Sequence, residues 1–382
     1  MPRFNPLLEQ LATYPAVAVD KRKAELIASG QTVYDFGKGD PEEPPPAFVG
    51  EALKAAIAPR LPYPKVKGSQ AVREAIAAYM QRRFGVTLNP DTQIVPTSGS
   101  KEAVFHMPML VIDRDAEDRG VLFPDPGYPA YQRGALFSGG EAIAVPLQGD
   151  HILRPWTLPE DVISRTRLIW LNTPHNPSGA VMSLDDLQRA ADFCRERDIL
   201  LVSDETYADV YHSDAPHSLL ECGTDGVLAL HSLSKRSGMT GFRSGFIAGD
   251  PALVAHLSTL RTNPGLVPTD FVNAAAVAAW SDDDHTEVRR AVFRQKKALF
   301  LTFFDEMNIR VIGREASLYL WVEVPGGDDE AYATRLLDAG IVVSPGRIFG
   351  VDGSGQGYIR LAMVPTLEQC KAAIEAWRAL EA

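Results

Sequence analysis

A lysine flanked by hydroxyl residues stands between two apolar runs. Lys235 lies in Ser232-Leu-Ser-Lys-Arg-Ser-Gly-Met-Thr-Gly-Phe-Arg-Ser-Gly, residues 232–245, with Val227 to Leu230 leading in and Phe246 to Ala248 leading out. Both runs read as buried strands. A lysine that loses its hydration at the end of a strand has a depressed pKa, and its neutral amine forms a Schiff base with a carbonyl. The hydroxyls of Ser232 and Ser234 and the fork of Arg243 are suited to hold a phosphate. An imine-forming lysine beside a phosphate cradle is what pyridoxal phosphate requires. Taken alone, the stretch also reads as a surface loop with a solvated lysine.

Other residues speak to the same chemistry. Asp204 follows the apolar run Ile199-Leu-Leu-Val. In such a site its carboxylate pairs with a protonated ring nitrogen; otherwise it caps a helix or sits in a turn. Asn176 and Tyr207 are suited to hydrogen-bond a phenolic oxygen, or else they are a turn residue before Pro177 and a buried aromatic. Tyr128, in Pro126-Gly-Tyr-Pro, would stack on a pyridine face. Gly99, Ser100 and Lys101 open a helix, whose free amides and dipole favour a phosphate. Arg360 interrupts an apolar strand, Tyr358-Ile-Arg-Leu-Ala. An arginine there needs an anion, either a structural carboxylate or a substrate α-carboxylate bound bidentately.

The elements that must position these groups alternate along the chain. Short apolar runs at Ile94, Val121, Ala142, Leu168, Ile199 and Val227 are separated by helical periodicity, as at Ala71 to Phe84 and after the cap Ser183. Buried strands joined by helices imply a largely parallel sheet covered on both faces. Ligands bind such sheets at the carboxyl ends of the strands. Gly99, Asp125, Asn172 to Asn176, Asp204 and Ser232 to Lys235 all fall at those ends, so they are expected to converge on one sheet edge. Beyond Pro251 the pattern becomes helical, with a long helix from His285 to Met307, then strands near Tyr319, Ile341 and Tyr358. The expected organisation is α/β: residues 1–40 packing with a small C-terminal α/β domain, 271–382, and a large cofactor-binding domain, 41–270.

Composition excludes several function classes. The chain has 382 residues with 45% hydrophobic content and a net charge of 38 − 49 = −11. A core of that size rules out global disorder, and the acidic balance speaks against a nucleic-acid or anionic-membrane partner. Cys194, Cys222 and Cys370 have neither disulfide nor zinc spacing. No apolar stretch reaches a membrane span and the start, Met1-Pro-Arg-Phe-Asn, has no secretory pattern. A cytoplasmic location and no metal are expected.

The combination Asn172-Thr-Pro-His-Asn-Pro-Ser-Gly, Asp204-Glu-Thr-Tyr, Ser232-Leu-Ser-Lys and Gly241-Phe-Arg, in this order, resembles the class I and II aminotransferases of the fold-type I pyridoxal phosphate enzymes. The likeness runs from Gly39 to Arg360. It implies that Lys235 forms the Schiff base and later carries the substrate Cα proton. It implies that Asp204 binds the pyridine nitrogen, and Asn176 and Tyr207 the phenolic oxygen. Ser100, Lys101, Ser232, Ser234 and Arg243 would hold the phosphate, and Tyr128 would stack on the ring. Arg360, with Gly39 and Asn176, would take the substrate. A loop tyrosine, here Tyr63, would reach the neighbouring subunit's cofactor, which implies a homodimer. His175 stands where the family often has Asn or Tyr.

The resemblance implies exchange of an amino group between an amino acid and a 2-oxo acid, with 2-oxoglutarate as acceptor. Within the family, His231-Ser-Leu-Ser-Lys-Arg-Ser, Gly241 to Asp250 and the start Asn5-Pro-Leu-Leu-Glu-Gln-Leu with Tyr14-Pro15 are similar to the N-succinyldiaminopimelate aminotransferases of lysine synthesis. Lys38 and Arg347 are candidates for an additional cation in the pocket. An aspartate or aromatic aminotransferase, a cystathionine-type C–S β-lyase and a decarboxylase share the lysine and aspartate. A DNA-binding regulator with an aminotransferase-like domain needs a basic N-terminal extension, for which Gly39 comes too early. A catalytically dead scaffold would not be expected to keep the whole residue set.

Overall fold

The computed structural model describes residues 2–10, 16–351 and 353–381. Tyr14 and Pro15, part of the resemblance at the start of the chain, lie outside them.

A seven-stranded sheet forms the centre. Its spatial order is Ile94–Thr97, Gly245–Gly249, Val227–Ser232, Leu200–Asp204, Thr166–Asn172, Gly120–Asp125 and Glu141–Pro146. Only Gly245–Gly249 runs antiparallel to its neighbours; the others are parallel, as the run of apolar strands separated by helices predicts. The central strands are buried along their whole length, including Leu200–Asp204 and Val227–Ser232. Such strands have no solvent face, which is why they read as continuous apolar runs. Two apolar cores cover the two faces, one around Tyr79, Leu187 and Trp280 and the other around Tyr131, Trp170 and Leu257. Helix Asp270–Trp280, on which the expected boundary at 270 falls, packs Ala275, Ala276, Ala279 and Trp280 into the first of them.

The C-terminal part builds a third core on helix Asp284–Glu306 and helix Leu367–Glu381. Its sheet has the order Ser344–Pro345, Tyr358–Ala362, Tyr319–Glu323, Val311–Ile312. The expected strand near Ile341 divides: Ile341–Val342 pairs in parallel with Tyr34–Asp35, while Ser344–Pro345 joins the other sheet. The N-terminal segment is thereby sewn to the C-terminal unit. The two units meet where Gly313, at φ +63°, faces the 178–179 turn. A Cβ on Gly313 would lie 1.8 Å from the Ser178 carbonyl, so no larger residue fits.

Candidate active site

Strand ends do most of the positioning. Asp125, Asn172, Asp204 and Ser232 are the last residues of their strands. The Asn172 amide donates to the Asp204 carbonyl at 2.8 Å and its oxygen accepts the Asn176 N–H at 2.7 Å. One side chain thus ties two strand ends and orients the loop that carries Asn176. Asp209 does the same for the next loop. It accepts from Tyr79 at 2.9 Å, Arg83 at 3.0 Å and Arg236 at 2.9 Å. Burial pushes its carboxyl up, but Arg236 and Arg83 outweigh that and its pKa falls. Arg236 adjoins Lys235, so the short helix Leu233–Arg236 is pinned to the segment that carries Tyr207.

Between the large sheet's carboxyl edge and the C-terminal unit lies a cavity of ≈ 1170 Å³. Gly39, Ser100, Lys101, Tyr128, Asn176, Asp204, Tyr207, Ser234, Lys235, Arg243 and Arg360 all line it, together with Lys38. Residues from distant parts of the sequence therefore meet at one place.

The Lys235 ammonium donates to the Gly39 carbonyl. Burial lowers its pKa, so the neutral amine needed for imine chemistry costs less to form. Asp204 is 4% exposed. It accepts from the Thr206 hydroxyl at 2.7 Å and the Tyr131 hydroxyl at 3.0 Å. Burial still raises its pKa against those hydrogen bonds. Among the described residues no lysine or arginine pairs with it, so the carboxylate is set to receive a cation from the cavity. Tyr128 stands edge-on to Tyr131 with centroids 5.8 Å apart, and burial raises its phenol pKa.

Arg243 adopts φ 54° and donates to Ser98 O at 3.3 Å and Thr240 O at 3.0 Å. Its guanidinium lies over Gly99, where a Cβ would come within 2.5 Å of it. Only glycine lets the arginine reach the start of helix Ser100–His106. Arg360 is 6% exposed, on one of the two inner strands of the smaller sheet. It donates to Asn176 Oδ1 at 3.1 Å and Gly37 O at 2.9 Å, between the rings of Tyr319, 4.2 Å away, and Phe349, 4.4 Å away. No carboxylate of a described residue pairs with it, which removes the structural ion pair as an account of this arginine.

Three expected positions fall elsewhere, and Tyr63, expected at the neighbouring subunit's cofactor, stays clear of its own. Ser232 does not line the cavity: its hydroxyl accepts Ser234 N–H at 3.2 Å and donates to Ser244 O at 3.4 Å, capping the lysine-bearing helix. Arg347 is held away by Asp328, Asp329 and Glu330 and supplies no cation to the site. His175 is buried behind the loop, bonded to Ser178 at 2.7 Å, its pKa driven by burial to about 3, and forms no part of the wall. Tyr63 is 100% exposed and outside its own chain's cavity. Lys38 lines the cavity but pairs with Asp20 at 2.9 Å.

Sequence reading missed Tyr131, Thr206, Tyr319, Phe349 and Arg133. Tyr131 follows Tyr128 by one helical turn, a spacing that signals a shared face. Tyr319 gave no such signal, since an aromatic in a buried strand reads as core. Its hydroxyl lies 3.2 Å from that of Tyr207. Burial works to raise the Tyr319 pKa, but Arg360 and Lys235 outweigh it and the pKa falls, whereas burial sends that of Tyr207 up.

The donor set fits pyridoxal phosphate: a buried amine, a buried carboxylate awaiting a cation, an aromatic wall, and cations at a helix start. It also fits acidic substrates. Lys101, Arg133, Arg243 and Arg360 line the cavity and none is paired with a carboxylate of a described residue. Of the two carboxylates present, Asp204 is set for the cofactor's cationic ring and Glu102 is held by Arg261 at 2.7 Å.

Comparison with known proteins agrees with this geometry. Residues 30–376 match the family described as aminotransferase class I and II. LL-diaminopimelate aminotransferase 2 of Trichormus variabilis is 35% identical, covering 98% of this chain and 97% of its own. The crystal structure of an aminotransferase from Neisseria meningitidis superposes with a TM-score of 0.90 at 30% identity, over 99% of this chain and 100% of that one. A probable N-succinyldiaminopimelate aminotransferase from Thermus thermophilus gives a TM-score of 0.89 at 27% identity, over 96% and 100%.

Proposed function

Because the chain belongs to the class I and II aminotransferases, which are pyridoxal phosphate enzymes, we propose that it exchanges the amino group of N-succinyl-LL-2,6-diaminopimelate with 2-oxoglutarate. The observation that supports the substrate reading is the unbalanced charge of the cavity, Lys101, Arg133, Arg243 and Arg360 against two carboxylates, Asp204 set for the cofactor ring and Glu102 paired with Arg261. Beyond the phosphate and one α-carboxylate, Arg133 remains for a further carboxylate of the substrate, while a free distal ammonium finds no carboxylate beyond the one set for the cofactor. That favours an N-acylated donor over free LL-diaminopimelate, the substrate in the name of the Trichormus relative.

The bound cofactor supplies an electron sink that stabilises negative charge at the substrate Cα. Asp204 would hold its ring nitrogen, Asn176 and Tyr207 its phenolic oxygen, and Ser100, Lys101, Ser234 and Arg243 its phosphate. Arg360 grips the α-carboxylate with both arms of its fork and so sets the Cα–H bond toward Lys235. The Lys235 amine takes the Cα proton and returns it on the other side of the transfer. Tyr319 packs against Arg360 and holds Tyr207, keeping both in register.

The working unit is a homodimer in the cytoplasm, with Tyr63 of each chain reaching the other's cofactor. Its complete exposure and its absence from the lining of its own chain's cavity support this. Sedimentation would show a dimer, and Y63F would weaken cofactor retention without dissociating it.

A donor panel with 2-oxoglutarate decides the substrate. N-succinyl-LL-diaminopimelate should exceed aspartate, aromatic amino acids and free LL-diaminopimelate in kcat/KM by at least tenfold. Preference for the free diamine would transfer the chain to the chemistry of its Trichormus relative. Activity with aromatic donors alone would exclude both diaminopimelate readings.

A further inference from the structure

One cation of the cavity, counted above only for its charge, has been given no particular group to bind. Arg133 lies on helix Ala130–Ser138, in the turn that follows Tyr128, and lines the same cavity as Lys235 and Arg360. It is half-buried. Among the described residues its guanidinium has neither an ion pair nor a hydrogen bond. The carboxylate of the cavity wall that is not at the cofactor position, Glu102, accepts from Arg261 at 2.7 Å and from Ser98 N–H at 2.9 Å, so it does not neutralise Arg133. A guanidinium drawn partly out of water without a counter-ion attracts an anion, and its planar fork matches a carboxylate.

Chemistry narrows the anion. Arg243 and Lys101 flank the helix start, and Arg360 is the deep guanidinium beside Asn176 and Lys235. Arg133 is on a different wall, that of Tyr128. A single substrate that meets both Arg360 and Arg133 has a carboxylate at each end. Phe105 and Leu266 line the cavity as well and add apolar surface to it. We propose that Arg133 binds the distal carboxylate of dicarboxylic substrates and so selects them over apolar substrates of equal length. This rests on the aminotransferase site assigned above, with Arg360 on the α-carboxylate. It does not rest on the choice of a diaminopimelate donor.

The test uses the acceptor half-reaction of the cofactor-loaded enzyme. Single turnovers with 2-oxoglutarate are compared with 2-oxopentanoate, which has the same chain length and no distal carboxylate. In R133Q the ratio of the two kcat/KM values should fall about 10- to 100-fold, the loss of one charge-assisted contact, through a raised KM for 2-oxoglutarate. R133K should recover part of the ratio, since it keeps the charge without the fork. Thermal unfolding and cofactor absorbance establish that each variant is folded, and R133K carries the comparison if R133Q is not. A ratio within twofold of wild type, or an equal loss on both acids, overturns the proposal. If the wild-type chain rejects both diaminopimelate donors while R133Q still loses the ratio, the donor assignment fails and the role of Arg133 stands.

Discussion

Replacing Arg360 offers the sharpest test of the site. Its two outer nitrogens already point at acceptors, Asn176 Oδ1 at 3.1 Å and Gly37 O at 2.9 Å, and the rings of Tyr319 and Phe349 hold the plane. Each hydrogen bond from this cation to a substrate carboxylate contributes about 1.5–3 kcal/mol. Lysine keeps the charge and loses the fork, so R360K should lower kcat/KM about 10- to 100-fold. Glutamine loses the charge and both bonds, about 3–6 kcal/mol, or roughly 10²- to 10⁴-fold. Folding should change little. R360Q deprives the buried Asn176 oxygen and the half-buried Gly37 carbonyl of a donor, which costs up to about 1–3 kcal/mol each, but it also removes a buried charge that has no counter-ion among the described residues. The assay is the cofactor absorbance change in a single turnover, measured with an amino acid and with its decarboxylated amine. The amine lacks the group that Arg360 binds, so its slow rate should fall far less in R360Q. An equal loss on both, or a loss below threefold on the amino acid, refutes the reasoning.

Three further outcomes follow from the same geometry. In K235A, borohydride should no longer fix the cofactor to the chain, as read by intact mass, and turnover should fall by about 10²- to 10⁴-fold or more through loss of the general base; a labelled K235A chain would displace Lys235 from its role. Asp204 must be ionised to pair with a cationic ring, and burial raises its pKa. Cofactor affinity should therefore fall with decreasing pH, beginning above the range of an ordinary carboxyl group, and D204A, weakened at every pH, should lose this dependence in a spectroscopic titration. Lys297, deep in helix Asp284–Glu306 and bonded to Ala316 O at 2.8 Å, has its pKa lowered by burial to about 7. Between that value and the ordinary lysine range the unfolded chain binds the extra proton, so folding stability rises with pH there and levels off below. From pH 7 to 9 the wild type should gain up to about 2 kcal/mol on K297M in urea unfolding, at a slope approaching 1.4 kcal/mol per pH unit. A constant difference would mean that Lys297 stays charged.

Much of the sheet was legible because its strands are buried on both faces. Leu168 to Leu171 and Leu200 to Val202 carry no polar residue, and the chain turns polar only where the strand reaches the site. The same logic located Asp204, Asn176 and Lys235 at one edge. The short strands near Ile341 were harder, because two residues of β geometry have no period to read and their pairing is wholly non-local.

Sequence by itself pointed to Lys235 and Asp204 as candidates and to the buried strands at whose ends they stand. Local hydration and strand-end position dictate those, and both are written in neighbouring residues. The tertiary structure decided which hydroxyls and cations face the cavity. It turned Ser232 into a cap and tied Arg347 to three acids. It brought Tyr319 and Arg360 against a loop from the other unit, and among the described residues it left Arg133 without an ion pair or hydrogen bond. A side chain's partner is set by what folds against it from far along the chain, and no spacing between neighbouring residues encodes that.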